Sequence, residues 1–276
     1  MPTPPPGPPG QTDALFTASR AYERFMGRWS RRLAPSFVAF AGVSDGDAVL
    51  DVGCGTGALS FAAAAVGARV RVEGVDRSAA YVQAAEQAAG GRARFRVGDA
   101  LRLDAPAAAF DRTLSLLALN FVPDRERAVG EMCRVTRPGG VVAAAVWDYG
   151  EGMAMLRRFW DAAAQVDPGA RDRDEAAMPF CRSGELTEAW RRAGLEAIVE
   201  RPLVIETAFA GFDDYWRPFL EGEGPAGRQA AAMSPAARRA LADALRRTLL
   251  GDGPDRAFTL PARAWAVRGV VPPPDR

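Results

Sequence analysis

The chain has 276 residues, 48% hydrophobic and 25% charged, with a formal net charge of +1. That suits one α/β-sized globular unit with an elaboration, and the balanced charge offers no field to draw nucleic acid or a membrane. All 35 basic residues are Arg and His is absent, which excludes a Ser-His-Asp triad, a histidine base, a His metal site and a lysine Schiff base. Cys54, Cys133 and Cys181 are scattered and odd in number, so neither a disulfide framework nor a Cys-rich zinc site is expected. No apolar run approaches a membrane span, and the first residues are Pro-rich rather than signal-like. A soluble cytoplasmic protein, without nucleic acid or membrane as a partner, is the expectation.

Residues 1–13 are mostly Pro and Gly and read as a disordered tail. Over 14–43, Leu15, Ala18, Tyr22, Phe25, Met26, Trp29, Leu33 and Phe37 recur at helical spacing, interrupted by Gly27 and Pro35. The core, 44–150, opens on Val49-Leu50-Asp51-Val52-Gly53-Cys54-Gly55-Thr56-Gly57. An apolar strand ends in an acid, a glycine loop follows, and an Ala-rich helix begins at once. Glycines let such a loop bend tightly and let a ligand approach the backbone. Gly53, Gly55 and Ala58 also satisfy the loose dinucleotide pattern G-x-G-x-x-G/A. Asp51, however, suits a cationic ligand and would repel a pyrophosphate.

The string Asp51-Val52-Gly53-Cys54-Gly55-Thr56-Gly57 resembles motif I of the class I S-adenosylmethionine (SAM)-dependent methyltransferases. More narrowly, it resembles the type 11, ubiquinone/menaquinone-biosynthesis-like branch of small-molecule enzymes. The resemblance implies a Rossmann-like, doubly wound, mostly parallel seven-stranded sheet with an antiparallel last strand and a helical cap. It implies that Tyr22-Glu23-Arg24-Phe25-Met26-Gly27-Arg28-Trp29-Ser30 covers the cofactor, with Tyr22 and Trp29 at the methyl-transfer chamber. The same aromatic stripe also reads as ordinary core.

A second strand ends at Gly74-Val75-Asp76-Arg77-Ser78. Asp76, at the end of strand two beside the glycine turn, can accept both ribose hydroxyls under either cofactor reading, while Ser78 fits a helix cap. Helix 79–89 and strand 93–97 lead to Gly98-Asp99-Ala100, which resembles motif II and implies Asp99 and Ala100 for adenine. Strand four, 110–117, is nearly all apolar and so central. The loop after it resembles motif IV and implies backbone carbonyls from Leu116 and Leu117. Asn120 there either orients a substrate or binds backbone. Asp124 can cap a helix to Val135. Arg137-Pro138-Gly139-Gly140 matches the family's turn before strand five, 141–147.

Residues 151–270 complete the sheet and carry cap insertions at 151–183 and 211–252. These include an amphipathic helix over 152–165, a charged mobile loop over 167–182, strand six over 195–201, a glycine-rich break over 222–227, a helix opened by Ser234-Pro235, and a last strand within 258–270. Family topology implies that this strand enters antiparallel between strands five and six; 271–276 read as a tail. Trp147, Phe159 and Trp216, with Tyr22 and Trp29, are the expected lining of the substrate pocket.

The function expected is metal-independent, in-line transfer of a methyl group from SAM to a small apolar or aromatic molecule. An NAD(P)-dependent oxidoreductase and a non-catalytic SAM-binding accessory protein are the alternatives. Cofactor contacts are expected from Asp51, Gly53, Cys54, Gly55, Thr56, Gly57, Asp76, Arg77, Ser78, Gly98, Asp99, Ala100, Leu116 and Leu117. If the acceptor is a hydroxyl, a base must take its proton; Asp148, Tyr22 or Tyr149 are candidates, Asp148 also fitting a plain turn acid.

Overall fold

The computed structural model describes residues 21–273. The expected tail at 1–13, the helix start near Leu15 and Ala18, and residues 274–276 lie outside that range.

Seven strands form one sheet: β1 Ala48–Val52, β2 Arg71–Asp76, β3 Arg94–Val97, β4 Phe110–Leu116, β5 Thr136–Trp147, β6 Glu196–Phe209 and β7 Phe258–Val270. Their order is β3-β2-β1-β4-β5-β7-β6. β1 through β5 pair in parallel, and β7 runs antiparallel to both neighbours. The expected Rossmann-like mixed sheet is therefore present, with β7 inserted between β5 and β6.

Strand order reverses at β1, so right-handed crossovers place successive helices on opposite faces and open a crevice at the carboxyl ends of β1 and β4. The central strands are buried on both faces, which is why they read as unbroken apolar runs: Val141 through Trp147 are all buried. A π-helical turn at Glu23–Gly27 runs directly into α1, Arg28–Ala41, which packs on α2, Ala58–Ala64. α3 is Ala79–Ala89, capped by the Ser78 hydroxyl, and α4 is Arg125–Val135, capped by Asp124.

The cap comprises α5 Ala154–Val166, α7 Phe212–Trp216, α8 Gly224–Ala232 and α9 Pro235–Leu250; α6, Glu185–Arg192, leads instead into β6. Its core is aromatic: Phe159 stacks on Phe219 with centroids 4.5 Å apart, and Phe219 meets Phe25 at 5.1 Å.

Several expectations are corrected. Arg137-Pro138-Gly139-Gly140 does not precede β5 but bulges within it: Phe110 pairs with Thr136 and Arg112 with Val141. β6 runs on to Phe209; it is an edge strand, where a proline such as Pro202 is tolerated. The glycine-rich break at 222–227 is largely the start of α8, with Pro225 in its first turn, where a missing N–H costs nothing. The segment 167–182 is packed rather than loose. It folds as two 3₁₀ turns, Pro168–Arg173 and Glu175–Ala177, capped by Asp167 and Asp174, and buries Ala170, Glu175 and Cys181.

Candidate active site

The crevice at the carboxyl ends of β1, β2, β4 and β5 is a cavity of about 490 Å³. Its floor is the glycine loop. Gly53 and Cys54 donate their N–H groups to Val75 O at 2.8 and 3.0 Å, which ties the loop to the end of β2. Gly53 has φ 76°, and a Cβ there would stand 2.3 Å from the Ala118 Cβ. Only glycine fits that approach of the loop to the chain after β4.

Three acids stand around the floor. Asp51 is 1% exposed; its Oδ2 accepts the Ser60 hydroxyl at 2.7 Å and its Oδ1 has no partner. Burial, opposed by the Ser60 bond and aided by the Asp76 charge, raises its pKa to about 7. Asp76 accepts the Gly55 N–H through Oδ2 at 2.9 Å and the Ser78 N–H through Oδ1 at 2.8 Å. Each carboxylate oxygen has further acceptor capacity. Asp99 Oδ1 accepts the Leu101 N–H at 2.9 Å at the edge of the cavity.

The roof comes from elements distant in sequence. Tyr22, Phe25, Met26 and Ser30 line it from the N-terminal segment, and the Tyr22 hydroxyl lies 3.3 Å from Ser30 Oγ. Glu23 accepts the Thr56 hydroxyl and pairs with Arg31, so this segment is fastened to the glycine loop. Tyr81 meets Tyr22 with centroids 5.3 Å apart. Trp147, Tyr149, Leu156 and Glu175 form the wall on the β5 side, and Glu223, Gly224 and Pro225 complete the roof. Trp147 Nε1 is a buried donor without a partner, which suits an oxygen of a ligand.

Of the expected cofactor residues, all line the cavity except Gly57 and Ser78. Gly57, with φ 91°, caps α2, and Ser78 caps α3 through Tyr81 N. Leu117 lines the cavity with φ 62°, a strained conformation for a branched residue and one that turns the chain away from β4. Burial, then Asp51 and Asp76, raise the pKa of the Cys54 thiol, so the loop cysteine is an unreactive packing group.

The catalytic and substrate expectations fare unevenly. Tyr22 and Trp147 line the cavity; Trp29, Phe159, Trp216, Asn120 and Asp148 do not. Trp29 sits edge-on to Phe209 at 5.3 Å under the Arg28 guanidinium. Phe159 is held in the cap core, and Trp216 stacks beside Phe212. Helical periodicity shows which residues turn inward, but not whether they meet a cavity or one another. Asn120 is buried, its amide reaching Met178 Sδ at 3.9 Å and its Oδ1 unpaired.

Asp148 is a structural acid. Its Oδ2 accepts two bonds from Arg263, at 2.8 and 2.6 Å, and its Oδ1 accepts the Glu151 N–H at 2.9 Å. Burial alone would raise its pKa, but the Glu151 and Gly152 amides and Arg263 outweigh burial and hold it below the usual range. Such an acid is a poor proton acceptor near neutrality.

Sequence reasoning missed Glu175, Tyr81, Glu223 and Leu156 as cavity residues. Glu175 is 5% exposed, and its Oε2 accepts the Trp160 Nε1–H at 3.0 Å. Burial, opposed by the Trp160 bond and the Arg157 charge, raises it to about 7. No local motif marks it; an acid between turn signals reads as a solvated loop.

Comparison with known proteins bears on the core of the chain. Residues 50–144 match the methyltransferase domain family. Over those residues the chain is similar to a methyltransferase domain. An uncharacterized protein of Mycobacterium tuberculosis, Rv1403c, is 33% identical over 132 residues, 46% of this chain and 48% of that protein. A probable tocopherol O-methyltransferase of Oryza sativa subsp. japonica is 33% identical over 147 residues, 50% of this chain and 40% of that protein. The chain thus spans about half the length of the curated relatives it matches. In fold, the methyltransferase domain and its cap resemble Haemonchus contortus phosphoethanolamine N-methyltransferase 2 in complex with phosphomonomethylethanolamine and S-adenosylhomocysteine. That likeness has a TM-score of 0.59 and 18% identity, over 95% of this chain and 59% of that one.

Among the described residues, no helix is long and apolar enough to cross a membrane, and no group of three or more Cys, Asp or Glu converges as a metal site.

Proposed function

We propose that this protein transfers the methyl group of SAM to a small molecule without a metal. The observation that carries the reading is Asp51 Oδ1, a buried carboxylate oxygen with no donor beside the glycine loop. Such an oxygen fits the cationic amino group of SAM and opposes the pyrophosphate of NAD(P). Asp51 would hold that amino group, Asp76 the ribose hydroxyls, and Asp99 with the Ala100 N–H the adenine. The Leu116 and Leu117 carbonyls would face the methionine portion.

Bound there, the cofactor supplies an activated methyl on a positively charged sulfur. The protein's own part is positioning: the N-terminal turn and the cap wall exclude water and hold the acceptor in line.

Calorimetric titration with S-adenosylhomocysteine tests the binding half. Micromolar affinity with no response to NADH is expected; the reverse preference would overturn the reading. Transfer of a labelled methyl across phenols, amines, quinones and acids tests the rest, and should persist in EDTA. Binding without transfer to any of them would favour the accessory role.

A further inference from the structure

The cavity has two ends with different chemistry. Asp51, Asp76 and Asp99 stand at the carboxyl ends of β1, β2 and β3, and Arg77 stands with them. Glu223 acts on both Tyr81 and Tyr22, and its neighbour Gly224 lies beside Glu175, so it stands in the roof between the two ends. The β5 side is lined by Trp147, Tyr149, Leu156 and Glu175, and Glu175 is its titratable carboxylate. Glu175 stands in the 3₁₀ turn after α5, outside every motif of the glycine-loop half.

Its environment is unusual for a structural acid. Oε2 is occupied by Trp160, while Oε1 meets no donor among the described residues. A glutamine would accept the Trp160 bond equally well, so packing alone does not call for a charge. Two arginines, Arg157 and Arg228, bear on its charge. Arg157 is committed to Asp174 through both terminal nitrogens. Arg228, on α8, lines a separate surface cleft with Asp167 and Arg173. Tyr149 is fully buried beside Glu175 and Tyr22, and burial keeps its phenol protonated. A cavity-lining carboxylate with one oxygen free of hydrogen bonds, among aromatic rings, is complementary to a group that is cationic and rich in N–H.

We propose that the methyl acceptor is a small amine, held as its ammonium ion against Glu175 among the rings of Tyr149, Tyr22 and Trp147, and that Glu175 takes the proton that frees its lone pair. This rests on the methyltransferase reading above. The step balances. One N–H bond breaks and its proton passes to Glu175. The freed lone pair forms the N–C bond as the C–S bond breaks, its electrons neutralising the sulfonium. The product leaves as an N-methylammonium, and Glu175 returns its proton to water. In the empty cavity burial favours protonated Glu175 near neutrality; an arriving cation reverses that and expels the proton.

The test uses the full chain saturated with S-adenosylhomocysteine and three probes of one shape: phenethylamine, 2-phenylethanol and phenylacetate. Phenethylamine should bind at least tenfold tighter than the alcohol, phenylacetate not at all, and amine binding at pH 7 should release a proton, read from calorimetry in two buffers. E175Q, which keeps the Trp160 bond, should lose tenfold or more in amine affinity and all of the proton release, with unchanged affinity for S-adenosylhomocysteine.

An amine that binds no better than the alcohol, or an E175Q protein that binds it as well as the parent, overturns the proposal. So does an E175Q protein that loses S-adenosylhomocysteine instead, since Glu175 would then serve the cofactor. Should E175Q not fold, proton release by the parent decides, because a probe held by packing alone releases none. Failure of the parent to bind S-adenosylhomocysteine would sink the methyltransferase reading while the probe series on the free protein still judges the amine site.

Discussion

The Ser60 hydroxyl, on the first helix after the glycine loop, donates to Asp51 Oδ2 at 2.7 Å, while the other oxygen of the same carboxylate stays unpaired. Ser60 thereby aims the acid, which lines the floor of the cavity.

Asp51 is raised to about 7 by burial, so much of it is protonated in the empty protein at neutral pH. A cationic ligand lowers that pKa, so affinity for SAM should climb as pH rises from 5.5 to 7.5, and binding should release a proton. Asp51→Asn should abolish the release and weaken binding roughly tenfold to a hundredfold, since a hydrogen bond to a charged group contributes about 1.5–3 kcal/mol. Calorimetry in paired buffers reads both; proton uptake on binding would contradict the assignment.

Asp76→Ala removes the acceptor for the Gly55 and Ser78 N–H groups as well as the proposed ribose contact. A loss of roughly 1.5–3 kcal/mol in S-adenosylhomocysteine affinity is expected, with little change in melting temperature because Asp76 is only half-buried. Undiminished affinity would remove Asp76 from the site.

Gly53→Ala should destabilise the fold by roughly 2–5 kcal/mol, combining the left-handed backbone penalty with overpacking against Ala118. Urea unfolding checks this. A change below about 0.5 kcal/mol would mean that the loop and the chain after β4 do not approach as closely as described.

Asp148→Asn should cost about 2–3 kcal/mol of stability, discounted from the full value of a buried pair because Arg263 is 33% exposed. The pKa of Asp148 is depressed in the fold, so its contribution is present above the unfolded carboxylate pKa and is lost as pH falls through the folded value. The variant should therefore approach the parent in stability under strongly acidic conditions. Affinity for S-adenosylhomocysteine should be unchanged; a selective loss of methyl transfer with intact stability would restore Asp148 as a catalytic acid.

Glu175 carries the opposite sign. Its folded pKa is about 7, above the unfolded value, so its protonated form supports the fold at low pH and that support is lost as pH rises toward 7. The stability of E175Q relative to the parent should therefore improve between pH 5 and pH 8. Thermal melts across that range read it, and a flat difference would show that Glu175 is already ionised in the empty cavity.

The glycine loop, Asp76, Gly98-Asp99-Ala100 and the doubly wound, mostly parallel sheet were legible because each rests on local rules. A positive-φ glycine, a cap and an unbroken apolar run are properties of a few adjacent residues, and in an open α/β sheet those residues are delivered together at the switch point. What periodicity could not do was divide aromatic residues between a cavity wall and a packed core. Trp29, Phe159 and Trp216 share the spacing of Phe25 and Leu156, yet only the latter two face the cavity. The cap was likewise misjudged wherever polar turn residues concealed burial, as at Glu175 and at the start of α8.

By itself, then, the chain's order of residues determined the sheet, the bare loop and the acids at the ends of β1, β2 and β3, since local backbone preference and one topological rule suffice for them. Only the tertiary structure decided that Asp148 is spent on Arg263 while Glu175 faces the cavity. That choice depends on which distant side chain arrives with a charge or an indole N–H, through contacts 115 residues apart for Asp148 and Arg263, and no local pattern encodes it.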